Sequence, residues 1–279
     1  MRRKITILLA LVITFASAVA ADKSPLKVLA IGNSFSVDAL EQEMHGLATG
    51  GGHEIVIGNL YFPGCSIERH FNNMSTDKGE YSYRKIAVDG KVDTIPDCTI
   101  SRALADEDWD YITFQQASHH SGLYETYEHL PELIAMVRKA VGPKPVFLWH
   151  MTWAYSPWSK HDGFKNYDRD QLKMYEAIVK CARRALADNK ELKGVIPCGT
   201  AVQNARTSAM GRDLTADGYH LNTRTGRYIA SCTWYAVLFK TAALGNPYAP
   251  EWLNNEQKRV SQQAADAAVK HPFEITDIK

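Results

Sequence analysis

The sequence of 279 residues has no CxxC pair, no zinc-like spacing of cysteine and histidine, no low-complexity tract and no internal repeat. Its five cysteines, Cys65, Cys98, Cys181, Cys198 and Cys232, stand far apart, which excludes a thiolate metal centre. One disulfide is open in an oxidising compartment, yet the odd number leaves at least one thiol free, and buried small hydrophobes is the role this scatter suggests for most of them. Charge of one sign is missing as well. With 32 basic against 31 acidic residues the chain has no electrostatic footprint for nucleic acid. Beyond residue 20 no apolar run is long enough to span a bilayer.

What is present begins with Arg2, Arg3 and Lys4, an apolar run from Ile5 to about Ala16, and the small-residue exit Ala18, Val19, Ala20. These are the three parts of a secretory signal peptide, so residues 1–20 are predicted to be removed and the mature chain to be periplasmic or secreted, with an uncleaved anchor as the alternative. No cysteine at the junction invites a lipid. Removing those three basic residues from 32 leaves 29 against 31 acidic, a balance of about −2. The remaining length suits one large domain, placed at 26–272.

Strand and helix signals alternate along that domain. Leu26–Ile31 is a short unalternating apolar run, the pattern of a strand buried on both faces, and Val37, Leu40, Met44 and Leu47 then recur at helical spacing. Further strands are predicted at 54–61, 109–114, 145–149 and 195–198, with helices at 130–140, 168–188 and 222–240. Between 81 and 98, β-favouring residues flank Asp89 and Gly90, which predicts a hairpin insertion. The fold class is therefore α/β, a three-layer sandwich of flavodoxin type with a five-stranded parallel sheet. In such sheets ligands bind outside the carboxyl ends of the strands.

The residues with chemical potential fall at those ends. Ser34, in Gly32-Asn33-Ser34-Phe35-Ser36, follows the first strand. A serine hydroxyl needs a base to become a nucleophile, and by itself either Ser34 or Ser36 reads equally well as a helix cap. Asp217-Gly218-Tyr219-His220 stands near the far end. A carboxylate three residues ahead of a histidine, on a turn tightened by glycine, can fold back onto Nδ1 and leave Nε2 for a serine, although a turn aspartate and a surface histidine fit the same spacing. Pro63-Gly64-Cys65-Ser66 ends the second strand, and Gln115-Gln116-Ala117-Ser118 the third. His119 and His120 follow, and a loop bearing His150, Trp153, Tyr155 and Trp158 follows the fourth.

The blocks GNSFS and DGYHL, in that order and near the two ends of the domain, resemble the first and last blocks of the SGNH, or GDSL-like, serine hydrolases. The resemblance implies an esterase with Ser34 as nucleophile and Asp217 and His220 as its partners. Gly64 stands where the family places an oxyanion glycine. The family's asparagine after the third strand is replaced here by Gln115, which is similar to the glutamine of some carbohydrate O-acetylesterase branches. An oxyanion hole of Ser34, Gly64 and Gln115 is therefore implied, with Gln115 as a buried structural amide the alternative and Gln116 the less favoured candidate. Asn33 replaces the usual aspartate beside the serine. The implied substrate is an acylated carbohydrate, with a lipid or thioester substrate, or non-catalytic sugar binding on the same scaffold, as alternatives. Such chemistry requires no cofactor and no metal. His119, Trp153 and Tyr155 are the expected substrate contacts, the aromatics suiting a sugar face or, equally, packing.

Overall fold

The computed structural model describes residues 24–279, so the expected leader lies outside the described residues. Seven strands form one sheet: β1 (Leu26–Gly32), β2 (Ile55–Tyr61), β3 (Tyr81–Ile86), β4 (Val92–Cys98), β5 (Tyr111–Phe114), β6 (Val146–His150) and β7 (Leu192–Ile196). The helices are α1 (Ser34–Leu40), α2 (Met44–Gly50), α3 (Ile67–Ser75), α4 (Ile100–Asp106), α5 (Leu130–Val141), α6 (Gln171–Asp188), α7 (Cys198–Ala205), α8 (Gly226–Phe239) and α9 (Asn255–Lys270).

The strand order is β4-β3-β2-β1-β5-β6-β7. β1 pairs in parallel with both β2 and β5, and β6 continues the parallel pairing from β5 to β7. The α/β class stands, but the sheet is mixed and wider than the five-stranded parallel one expected. Tyr81–Ile86 and Val92–Cys98 extend it antiparallel from β2, so that Tyr81, Tyr83 and Ile86 bury their side chains on it. The chain winds outward from β1 toward β2, then crosses back to β5 on the other side. Right-handed crossovers in opposite directions place their helices on opposite faces, and the strand where the direction reverses opens a crevice at its carboxyl end. That strand is β1, and Ser34 is the second residue past it.

On one face α8 packs against α1, α2, α7 and α9. Covered on nearly all sides, α8 is buried at Tyr228–Ala236, which is why its sequence lacks a polar stripe. On the other, α3, α4 and α5 pack on one another. The helix predicted across 36–48 is two short ones, since Glu41 and Glu43 turn inward to Asn59 and Tyr248 respectively. All five cysteines are free and buried. Among the described residues no helix is long and apolar enough to cross a membrane.

Candidate functional site

Ser34 opens α1. Asn33 is the N-cap, its Oδ1 accepting from the Phe35 amide at 3.0 Å, so the turn holds Ser34 at the mouth of the crevice. Ser36 is wholly buried and donates to the Asn33 carbonyl, whereas Ser34 is half-buried and meets a histidine. His220 Nε2 lies 2.8 Å from Ser34 Oγ, across 186 positions of sequence. On its other side His220 Nδ1 lies 2.7 Å from Asp217 Oδ2.

The loop that carries this pair is held from several directions. Asp217 Oδ1 accepts from the Tyr219 and His220 amides, a tight turn that requires Gly218 at φ +95° and leaves no room for a Cβ, which would meet Ser159 at 2.7 Å. Trp153 Nε1 donates to the Tyr219 carbonyl at 2.7 Å, and the Ser156 amide to the Gly218 carbonyl at 2.8 Å. The Leu221 amide donates to Asp38 Oδ2 at 2.8 Å, so a buried carboxylate one turn along α1 from Ser34 fastens the histidine loop to the serine helix. Arg227 completes that anchor at 2.9 Å from Asp38 Oδ1. Burial raises the Asp38 carboxyl to about 6 against the opposing pull of Arg227 and the Leu221 amide. Burial also pushes Asp217 upward, but the His220 ring and the two amides outweigh it and hold that carboxyl below its ordinary value.

A second network runs beneath the serine. Because Asn33 Oδ1 accepts from a backbone amide, the group facing it from Gln115 at 2.6 Å must be the Nε2 donor. Gln115 Oε1 is then the acceptor for His150 Nδ1 at 2.8 Å, which fixes the proton of this buried imidazole on Nδ1. Desolvation holds His150 to about 3, so it stays neutral, and its Nε2 has no partner among the described residues. Asn33 Nδ2 donates to the Cys65 carbonyl at 3.1 Å, tying in the turn that carries Gly64. Gly64 sits at φ +60° with nothing within 4 Å of where a Cβ would be, after Pro63 in a turn closed from the Cys65 amide to the Phe62 carbonyl. Gln115 thus retains one uncommitted N–H. Gln116 has none, since Nε2 donates to the Thr126 carbonyl and hydroxyl while Oε1 accepts from Ile67 and Ala117.

Two of the three expected substrate contacts are corrected. Trp153 is fully buried and stacks on Phe35 with centroids 4.2 Å apart, and Tyr155, also fully buried, bonds Ser118 through its hydroxyl at 2.7 Å. Neither offers a face to a ligand. His119 is half-buried and belongs to a file of rings, His119, His161, Tyr219 and His220, with successive centroids 5.7, 4.9 and 4.2 Å apart. Burial, reinforced by His120 and His161, lowers His119 to about 4. Sequence reading missed Asp38, His161 and Tyr219. Asp38 had a legible signal, an acidic residue four positions after Ser34 on the face otherwise given to apolar residues. Beside Gly64 opens a hollow of about 500 Å³ lined by polar groups including Ser66, Arg69, Asn72 and Glu80. Among the described residues no three histidine, cysteine, aspartate or glutamate side chains are grouped so as to hold a metal ion.

Fold and site define a doubly wound α/β protein with a serine, a histidine and an aspartate in one hydrogen-bonded chain at the reversal of the sheet. The chain belongs to the family described as Domain of unknown function (DUF4886), whose model matches residues 27–268. It is similar to the crystal structure of a DUF4886 family protein from Bacteroides uniformis, at 45% identity and a TM-score of 0.90 over 91% of this chain and 98% of that one. Weaker likenesses are to an acetyl xylan esterase, at 16% identity and a TM-score of 0.48 over 76% of this chain and 100% of the other, and to a gut microbial diltiazem-metabolizing enzyme, at 11% identity and a TM-score of 0.48 over 78% and 47%. No curated protein matches the sequence.

Proposed function

We propose that the protein is an exported serine esterase of the SGNH hydrolase class that removes acyl groups, acetyl foremost, from a carbohydrate. The observation that carries the reading is the 2.8 Å contact between Ser34 Oγ and His220 Nε2, with Asp217 2.7 Å behind the same ring. In this reading Nε2 takes the hydroxyl proton as Oγ attacks the ester carbonyl, and it returns that proton to the departing alcohol. Water then hydrolyses the acyl-serine with the same base. Asp217, held ionised by the two amides it accepts from, keeps the Nδ1 tautomer and stabilises the imidazolium. The amides of Ser34 and Gly64 and the second N–H of Gln115 bind the oxyanion.

The polar hollow beside Gly64 supports a hydroxyl-bearing leaving group over a lipid chain. The carbohydrate itself rests on the resemblance of the strand-end glutamine, since Trp153 and Tyr155 are buried. Export rests on residues 1–20 acting as a leader ahead of a domain spanning 26–272, which would place the protein in the periplasm or outside the cell. Hydrolysis of nitrophenyl acetate and acetate release from acetylated xylan test the reading. Both are expected in the wild-type protein and lost in Ser34→Ala, with longer nitrophenyl esters turned over more slowly. Preference for long-chain esters would instead assign a lipid-like substrate, and inactivity of the folded protein on every ester would leave a binding protein.

A further inference from the structure

Beside Pro157, at the start of α6 and the end of α7, lies a cavity of about 470 Å³ lined by Arg169, Arg206 and Arg212. Asp170 is the one carboxylate among its lining residues, and it is engaged as the cap of α6, accepting from the Leu172 and Lys173 amides at 2.8 and 2.9 Å. Arg206 is only 6% exposed. Its Nη1 donates to Gln203 and its Nη2 to the Ala154 carbonyl, while Nε has no partner among the described residues. No carboxylate lies within ion-pair distance of any of the three arginines among the described residues. Burial lowers Arg206 to about 9, against the distant pull of Asp213, so the guanidinium remains a cation at neutral pH.

A buried cation without a counter-charge is costly, and proteins keep one where something neutralises it. Here two further arginines face the same cavity from separate segments, and the planar fork of each matches paired oxygens. Gln203, whose Oε1 accepts from Arg206, offers its side-chain N–H groups at the wall, while the Thr207 hydroxyl is spent on Asn204 and Ile278. We propose that this cavity binds an oxoanion group of a ligand: a carboxylate, sulfate or phosphate. The site is distinct from Ser34 and its assignment stands apart from the esterase reading.

Calorimetric titration of the mature chain at constant ionic strength tests it, with sodium sulfate, inorganic phosphate and sodium galacturonate as probes and galactose as the neutral control. At least one anion is expected to bind with Kd of about 1 mM or tighter while galactose does not. The double variant Arg169→Gln/Arg212→Gln, which alters two exposed side chains and leaves the buried one in place, should weaken that binding at least about tenfold. Tighter binding of sulfate or phosphate assigns a tetrahedral group, and tighter binding of galacturonate a sugar carboxylate. Absence of binding by all three anions, binding no tighter than that of galactose, or a smaller loss in the double variant overturns the proposal.

Discussion

Replacing Asp38 with asparagine should make the protein more stable at alkaline pH and less active. The buried carboxyl is raised from 3.8 to about 6 even with Arg227 and the Leu221 amide beside it, so desolvation outweighs both partners. A rise of that size corresponds to about 3 kcal/mol held against the fold once the group is ionised. The sign follows from proton linkage. Between about pH 4 and pH 6 the native state binds more protons at this position than the unfolded chain, so the contribution of Asp38 is present below the unfolded value and lost as pH rises through the folded one. Asparagine has no such titration. Asp38→Asn should therefore match or fall slightly below wild type at pH 4, and exceed it at pH 8 by up to about 3 kcal/mol. Arg227, a quarter exposed, can turn to solvent when its partner is neutralised. Activity should move the other way. The carboxylate anchors the Leu221 amide and so the placement of His220, and weakening a charged hydrogen bond of that kind costs on the order of tenfold in kcat/KM. Urea denaturation at pH 4, 6 and 8, with nitrophenyl acetate kinetics on the same samples, measures both. A stability difference that does not change with pH, or one that favours wild type more strongly at pH 8 than at pH 4, refutes the reasoning.

Asp217→Asn should lower kcat by about a thousandfold or more with little change in KM, because the imidazole loses its tautomer control while the fold is untouched, as circular dichroism alongside the kinetics will check. If Gln115 donates to the oxyanion as proposed, Gln115→Ala should cost roughly 100-fold in kcat, measured by steady-state turnover of nitrophenyl acetate. His150→Leu should destabilise by about 1–3 kcal/mol in urea, since it strands the Gln115 carbonyl without its donor. A chromogenic disulfide reagent should find no reactive thiol in the native protein and five after denaturation, as all five cysteines are free and buried; a lower count in denaturant would reveal a disulfide.

Much of the fold was legible because buried parallel strands announce themselves as short apolar runs. β1, β2, β5 and β6 fall within two residues of their predicted bounds, and the Asp89-Gly90 turn lies between β3 and β4 as read. The hairpin's place in the sheet was not legible. Whether two alternating strands join an existing edge depends on a partner strand distant in sequence, here β2. Helices α3, α4 and α7 are seven to nine residues long, too short for a helical period to stand out, and α9 is rich in alanine and glutamine with a weak apolar stripe. In the site, the order of the serine and aspartate–histidine blocks pointed to residues that meet. Aromatic content misled at Trp153 and Tyr155, because a tryptophan that stacks inward on Phe35 has the same sequence signature as one that stacks on a sugar. Asp38 stood out only as an acidic residue on an apolar face, and the partners through which it and His150 act lie 183 and 35 positions away, where no local pattern points.

Covalent capture of the Ser34 hydroxyl reports on the proposed nucleophile itself. The protein treated with a fluorophosphonate, then digested and sequenced by tandem mass spectrometry, should carry one adduct on Ser34, absent after Ser34→Ala and strongly slowed after His220→Ala. An unmodified folded protein, or an adduct on another residue with Ser34 untouched, contradicts the account.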